Sequence, residues 1–255
     1  MSQQELVVDQ FTRQAAGFAA AKPIQDREAL ELLLAASGAG ADDRTLDVAC
    51  GPGIVVCHFA AVVQSATGID LTPAMIAQAK ALQREKGLDN VEWHVGDVTA
   101  LPFEDQSFSV VTSRYAFHHF EHPAAVLAEM VRVCEPGGRV AVMDLCASST
   151  PAQAKNFNRM ERLRDPSHVR ALPLAELCAL FADAGLREPS LAFYKMTVRF
   201  DHLLQASFPN AGDAEEVDRL VRGSLEDDSL GVGTRMEKER LVFSYPIALL
   251  AAQKT

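Results

Sequence analysis

Basic charge, cysteine and long apolar runs are all scarce in this chain. Its 24 lysines and arginines face 34 aspartates and glutamates, for a formal net charge of −10. A surface of that sign repels phosphate backbones, so nucleic acid is set aside as a partner and a small molecule fits better. The five cysteines, Cys50, Cys57, Cys134, Cys146 and Cys178, are odd in number, scattered and never spaced C-x-x-C. That pattern argues against a disulfide framework and a structural zinc site, and it reads as a reduced, cytoplasmic protein. The opening Met1-Ser2-Gln3-Gln4-Glu5 lacks the basic and apolar parts of a secretory leader. Apolar runs such as 29–36, broken by Glu31, and 247–252 fall short of the ~20 residues needed to cross a bilayer, so no transmembrane segment is expected.

What is present is a chain of 255 residues, 48% of them apolar, enough for a large core. From Thr45 onward, strand-length apolar runs near 45–49, 66–70, 91–95, 108–113 and 139–145 alternate with helix-period segments. This alternation implies an α/β fold with a parallel sheet and helices on both faces. Thr72-Pro73 opens a helix with Met75, Ile76, Ala79 and Leu82 as its inner stripe. Pro123 opens another with Val126, Leu127, Met130 and Val131, closed by Glu135-Pro136-Gly137-Gly138. Residues 3–37 read as two helices, the first placing Phe11, Ala15 and Phe18 on one face. Residues 148–172 read as polar and irregular. A helix from Pro173, a strand near 191–198, a helical insertion over 200–227 and a last strand near 241–251 complete the pattern.

Ligands of open α/β sheets lie beyond the carboxyl ends of the strands, so the loops there are where chemistry is sought. After the first strand comes Asp47-Val48-Ala49-Cys50-Gly51-Pro52-Gly53, whose glycines let a ligand approach the backbone at a helix N-terminus. The second strand ends in Asp70, an acceptor suited to a ribose diol, and the third in Gly96-Asp97-Val98, a carboxylate and N–H suited to an adenine edge. A nicotinamide dinucleotide would also want a ribose acid. Its fingerprint needs a third glycine, however, and Gly53 is followed by Ile54-Val55-Val56.

Taken in order, 46–53, 68–70, 96–103 with Ala100-Leu101-Pro102-Phe103, 108–113 and 132–144 with Pro136-Gly137-Gly138 resemble the motifs of class I S-adenosylmethionine-dependent methyltransferases. Within these they are most similar to the branch (type 11) containing the ubiquinone/menaquinone biosynthesis C-methyltransferases. The resemblance covers about 45–145, and Gln10-Phe11 with Ala15 and Phe18 is similar to that branch's N-terminal lid. It implies a Rossmann-like, seven-stranded, mostly parallel sheet with an antiparallel last strand. It also implies a single methyltransferase domain, 1–255, made of a helical lid (1–40), a cofactor-binding core (41–147) and a substrate cap with the C-terminal strands (148–255).

Carried over by motif, Asp47, Gly51 and Gly53 would surround the methionine moiety of S-adenosylmethionine, and Asp70 would hold the ribose hydroxyls. Leu71 and Met75 would pack near the adenine, Asp97 and Val98 would read its edge, and Ser113 would border the cofactor. Ala49 departs from the family pattern, standing where the first glycine is expected. The competing role for Asp70 is to cap the following helix, for which Thr72 is the better candidate.

The sulfonium methyl is already electrophilic, so the protein chiefly has to place a nucleophile in line with it. In Ser113-Arg114-Tyr115-Ala116-Phe117-His118-His119-Phe120 either histidine could take a proton, His119 being slightly favoured over His118. The competing reading is loop packing. Together with His122 they would suggest a metal, but no carboxylate or cysteine stands at ligand spacing, so no metal site is expected. In Arg159 to Arg170 four arginines interrupt an acidic chain, and Arg164, His168 and Arg170 are candidates to meet an anionic substrate; a solvated face paired with Glu161 and Asp165 is the alternative. Phe117, Phe120, Phe157, Tyr194 and Phe200 could wall an aromatic pocket or be ordinary core. The expected function is methyl transfer to a small-molecule acceptor. The alternatives are a nicotinamide-nucleotide oxidoreductase and a non-catalytic S-adenosylmethionine-binding module.

Overall fold

The alternating pattern folds as a doubly wound sheet in the computed structural model, which describes residues 1–20 and 25–255, without the side chains of Ala16, Phe18, Ala19 and Ala20. Two helices, α1 (Gln3–Ala20) and α2 (Arg27–Ser37), precede the sheet. Then follow β1 (Arg44–Val48), α3 (Ile54–Phe59), β2 (Ser65–Asp70), α4 (Pro73–Lys86), β3 (Val91–Val95) and β4 (Phe108–Arg114). After a single 3-10 turn, Phe117–His119, come α5 (Pro123–Val133), β5 (Cys134–Ala147), α6 (Pro151–Arg164), β6 (Leu172–Pro173) and α7 (Leu174–Asp183). The chain closes with β7 (Ser190–Arg199), α8 (Phe200–Gln205), α9 (Asp213–Asp227), β8 (Arg235–Glu237) and β9 (Arg240–Gln253).

The strand order is β3-β2-β1-β4-β5-β9-β7, with β1 to β5 parallel and β9 antiparallel to both β5 and β7. The expected antiparallel last strand is therefore present. The expected count of seven holds only for this path. Among the described residues the sheet has nine strands, because β6 pairs with β5 and β8 with β9 off the path. Both extra strands are two or three residues long, too short to show a period of two in the sequence. Order reverses between β1 and β4, and a crevice opens at their carboxyl ends.

Local signals explain most elements. Gly87 at φ 65° ends α4, and Met75, Ile76 and Ala79 form its buried stripe while Leu82 is only partly covered. Val126, Leu127 and Met130 of α5 are fully buried against the face opposite α3 and α4, each burial worth about 1.5–3 kcal/mol. On α1, Ala15 is buried and Phe11 half-buried; the expectation for Phe18 falls outside the described side chains.

The irregular segment expected over 148–172 is instead largely helix α6. Thr150-Pro151 supplies its start, but two of its four buried positions are Asn158 and Glu161. A helix that buries polar side chains carries no apolar period to read. Of the five aromatics offered as pocket walls, Phe117, Phe157 and Phe200 are core. Tyr194 packs on the core and donates its hydroxyl to Asp26, and Phe120 lines the cavity described next.

Candidate active site

Three strand ends deliver three carboxylates to one cavity of about 360 Å³ beneath α1. Asp47, from β1, is 3% exposed, and its Oδ1 accepts a hydrogen bond from the Thr112 hydroxyl at 2.8 Å. Burial, reinforced by nearby Asp70, pushes its carboxyl up to about 7 despite the opposing pull of Thr112 and Arg114. Asp70, ending β2, accepts the Gly51 N–H at Oδ2 and the Thr72 N–H at Oδ1, both at 2.8 Å, and burial raises it. So Asp70 does organise the start of α4, whereas the Thr72 hydroxyl makes no cap bond. Each Asp70 oxygen keeps a second lone pair. Asp97 differs: burial would lift it, but the N–H and hydroxyl of Thr99 and the amide of Gln4 outweigh that and hold it low. Gln4 belongs to α1, so the lid already touches a residue expected to read adenine.

Leu71, Met75 and Val98 line the same cavity, as does Gly51. A Cβ on Gly51 would meet nothing within 4 Å, so its α-carbon faces open space into which a ligand can come close. This cradle, with three acidic acceptors around an apolar slot, fits an adenosyl sulfonium ligand. Gly53 and Ser113 stand behind the cavity wall rather than on it. A Cβ on Gly53 would lie 2.4 Å from Trp93, and the Ser113 hydroxyl ties β4 to the Val48 carbonyl at 2.8 Å.

Ala49 takes φ 57°, a left-handed conformation that costs alanine about 1–2 kcal/mol. Restoring the family's glycine, Ala49→Gly, is expected to raise stability by about 0.5–1 kcal/mol once the extra freedom of the unfolded chain is subtracted. The midpoint of urea unfolding measures this. A lower midpoint would mean that the methyl group packs rather than strains.

A second cavity, about 620 Å³, adjoins the first and shares Phe11, Tyr115 and His119 with it. Its far wall comes from β7, α8 and β9, with Met196, Val198, Leu203 and Tyr245 among its residues. Tyr115, between the two cavities, is itself left-handed at φ 57°, a strained placement for a bulky side chain and typical of functional junctions.

His118 lines the second cavity, and its Nδ1 lies 2.5 Å from Asp144 Oδ1. His119 lines both cavities, with Nδ1 3.0 Å from the Ser167 carbonyl and 3.1 Å from its hydroxyl. Burial, then the adjacent His118, brings His119 down to about 4, so it is neutral at pH 7. Their ring centroids are 4.2 Å apart and His168 lies 5.4 Å from His118. Among the described residues no group of three or more His, Cys, Asp or Glu is set to hold a metal.

The proposed substrate residues are not brought together. Arg164 lines the second cavity, but Glu161 binds its Nε and Nη2 at 3.0 and 2.7 Å, while Ser207 accepts from Nη1. Glu161, fully buried, also accepts the Tyr245 hydroxyl at 2.8 Å. His168 lines neither cavity; its Nε2 donates to Asn158 Oδ1 at 2.8 Å, and burial drives its ring far down. Arg170 also lies outside both cavities, paired with Glu176 on the surface. The sequence reading gave no role to Asp144 or Tyr115, although both stand within stretches it singled out, nor to the Glu161–Tyr245 pair.

A family model described as a methyltransferase domain matches residues 46–142. The chain is 33% identical over 191 residues to an uncharacterized methyltransferase, YcgJ, of Bacillus subtilis, covering 75% of this chain and 76% of that one. It is 34% identical over 124 residues to the ubiquinone/menaquinone biosynthesis C-methyltransferase UbiE of Bdellovibrio bacteriovorus, or 48% of this chain and 52% of that protein. A solved structure of a putative methyltransferase from Bacillus halodurans matches with TM-score 0.82 and 28% identity, over 89% of this chain and 99% of the other.

Proposed function

Because the chain belongs to the S-adenosylmethionine-dependent methyltransferases, we propose that it carries S-adenosylmethionine in the first cavity and a small, uncharged, largely apolar acceptor in the second. The observation that carries this is the shared wall of Phe11, Tyr115 and His119, across which a donor and a nucleophile can meet. When bound, the cofactor supplies an electrophilic methyl. The chain's part is then to orient and to take a proton.

On this reading Asp70 receives the ribose hydroxyls, Asp97 and Val98 the adenine edge, and Leu71 and Met75 its faces. Asp47 and Gly51 hold the methionine end, and Gly53 and Ser113 shape the wall from behind. His118 and His119 are the candidate bases. Lid, core and cap work as one unit, 1–255, since β7 and β9 of the cap complete the sheet that carries the cofactor loops. Five free cysteines support a reducing, cytoplasmic setting, and among the described residues no helix is long and apolar enough to cross a membrane.

Of an anionic or an aromatic acceptor, the charge balance favours the aromatic one. Arg164 is matched by Glu161, Arg170 by Glu176, and Arg199 at the cavity edge by Asp201. Among the described residues that line the second cavity both arginines, Arg164 and Arg199, are already matched, so a carboxylate entering it would lose its water without gaining either of them, at a cost of several kcal/mol.

Methyl transfer from labelled S-adenosylmethionine to 4-alkylphenols, quinols and thiols, each paired with its carboxylate analogue, tests this. The neutral member of a pair is expected to be methylated at least about 100-fold faster; preference for the carboxylate overturns the acceptor class. S-adenosylhomocysteine at ~100 Kd is expected to add about 2.7 kcal/mol of stability, and stabilisation by NADH alone would favour the oxidoreductase instead.

A further inference from the structure

Asp144 is a charged residue in the middle of core. It lies near the end of β5 at 2% exposure, between the buried Met143 and Leu145, and lines neither cavity. A carboxylate so placed costs several kcal/mol unless its oxygens are matched. They are: Oδ1 faces His118 Nδ1 at 2.5 Å and accepts the Leu145 N–H at 2.6 Å, while Oδ2 accepts the His118 N–H at 3.0 Å. Three contacts thus fix this acid, two of them to one histidine, gripping both its ring and its backbone.

We propose that Asp144 is a positioning residue for methyl transfer, holding His118 in the tautomer with its hydrogen on Nδ1 so that Nε2 is the base presented to the acceptor. The inference rests on the methyltransferase reading and deepens it. A carboxylate on one ring nitrogen fixes both the orientation of the imidazole and the nitrogen left to act, and it compensates the imidazolium once a proton arrives.

His119 is built for a different part. Its Nδ1 meets a carbonyl and a hydroxyl, and the carboxylate behind them, Asp165, is reached only through Ser167 Oγ at 2.6 Å. With the two rings 4.2 Å apart, charge on one opposes charge on the other. Of the two rings, only His118 has a carboxylate directly on its Nδ1. His119, neutral and shared by both cavities, shapes the passage between donor and acceptor.

In the step itself a bond forms between the methyl carbon and the acceptor's nucleophilic atom. The carbon–sulfur bond breaks with its electron pair remaining on sulfur, and the acceptor's proton passes to His118 Nε2 and later to water.

The test needs no acceptor at first. Long-range 1H–15N spectra of histidine-labelled protein saturated with S-adenosylhomocysteine, taken at pH 9, well above the ordinary imidazole value, are expected to show His118 with its hydrogen on Nδ1. In Asp144→Asn the amide can donate to Nδ1, and the hydrogen is expected to move to Nε2. A wild-type His118 protonated on Nε2, or a tautomer indifferent to Asp144→Asn, overturns the proposal. With the best 4-alkylphenol or quinol from the screen, Asp144→Asn is expected to lower kcat by about 10²–10⁴-fold, as amide replacement does in serine-protease triads, with KM for S-adenosylmethionine within about twofold. Asp144→Asn combined with His118→Gln is expected to be no slower than His118→Gln alone; additive losses would mean a merely structural acid. If no phenol or quinol is methylated, the acceptor reading fails while the spectra still decide the role of Asp144.

Discussion

Replacing Asp70 by alanine is expected to raise the Kd for S-adenosylhomocysteine by about 10²–10³-fold. Hydrogen bonds to a charged acceptor contribute about 1.5–3 kcal/mol each; because Asp70 already holds two backbone N–H groups, the two ribose hydroxyls are taken at the low end, about 1.5–2 kcal/mol each, or about 3–4 kcal/mol together at 1.4 kcal/mol per decade. The geometry allows both, because the two oxygens each spend only one lone pair on the protein, on Gly51 and Thr72. Those same backbone bonds carry a second effect. Alanine would also free the Gly51 turn, so part of the loss would be loop disorder rather than a missing contact. Asp70→Asn separates the two: it keeps the shape and one acceptor, and it is expected to cost about 10-fold. Calorimetric titration of both variants measures this. An unchanged Kd in Asp70→Ala would mean that the ribose lies elsewhere.

The ease with which Asp70 is read from sequence, and the difficulty of reading Asp144, have a common physical origin. Where a parallel strand ends, the chain must turn within a few residues, and the turn residues are local in sequence: Gly51-Pro52-Gly53, Ile69-Asp70, Gly96-Asp97. Their chemistry is visible without knowing what packs against them. The second cavity has no such locality. Its walls come from Phe11, His118, Arg164, Met196 and Tyr245, brought together only when the sheet is wound and α1 laid across it. Asp144 sits in an apolar strand, where a lone acid reads as an edge position until His118 is seen beside it. The arginines are ambiguous in the opposite way. As a cluster in an acidic chain Arg164 and Arg170 suggest an anion site, yet Glu161, three residues before Arg164, and Glu176 neutralise them nearby. Charge that is compensated by a neighbour on the same or an adjacent element cannot be told from free charge by composition. For the same reason α6 escaped notice, its inner face being partly Asn158 and Glu161 rather than a stripe of leucine.

Asp47→Asn is expected to stabilise the ligand-free protein while weakening its hold on S-adenosylmethionine. The carboxyl is ordinarily near 3.8 and stands at about 7 in the fold, so between those values the folded chain keeps a proton that the unfolded chain has released. Stability attributable to this group therefore falls as pH rises from about 4 to 7 and is flat above. The full penalty is about 4 kcal/mol at 1.36 kcal/mol per pH unit. Asparagine escapes it, and its carbonyl can still accept from Thr112, but its buried NH2 gives back about 1–2 kcal/mol of unmet hydrogen bonding. The net gain expected at pH 8 is about 2 kcal/mol, turning to a net loss of about 1–2 kcal/mol at pH 4, where Asp47 is already neutral and only the unmet NH2 counts; urea unfolding at the two pH values measures it. Binding should move the other way. A cationic sulfonium and its α-ammonium favour ionised Asp47, so S-adenosylmethionine is expected to release a proton on binding near pH 6.5, seen as a dependence of calorimetric heat on buffer ionisation. In Asp47→Asn that dependence should vanish and affinity should fall by about 10-fold or more. A variant that loses stability at pH 8 and still releases the proton would show that the acid is held for packing and that another group answers to the ligand's charge.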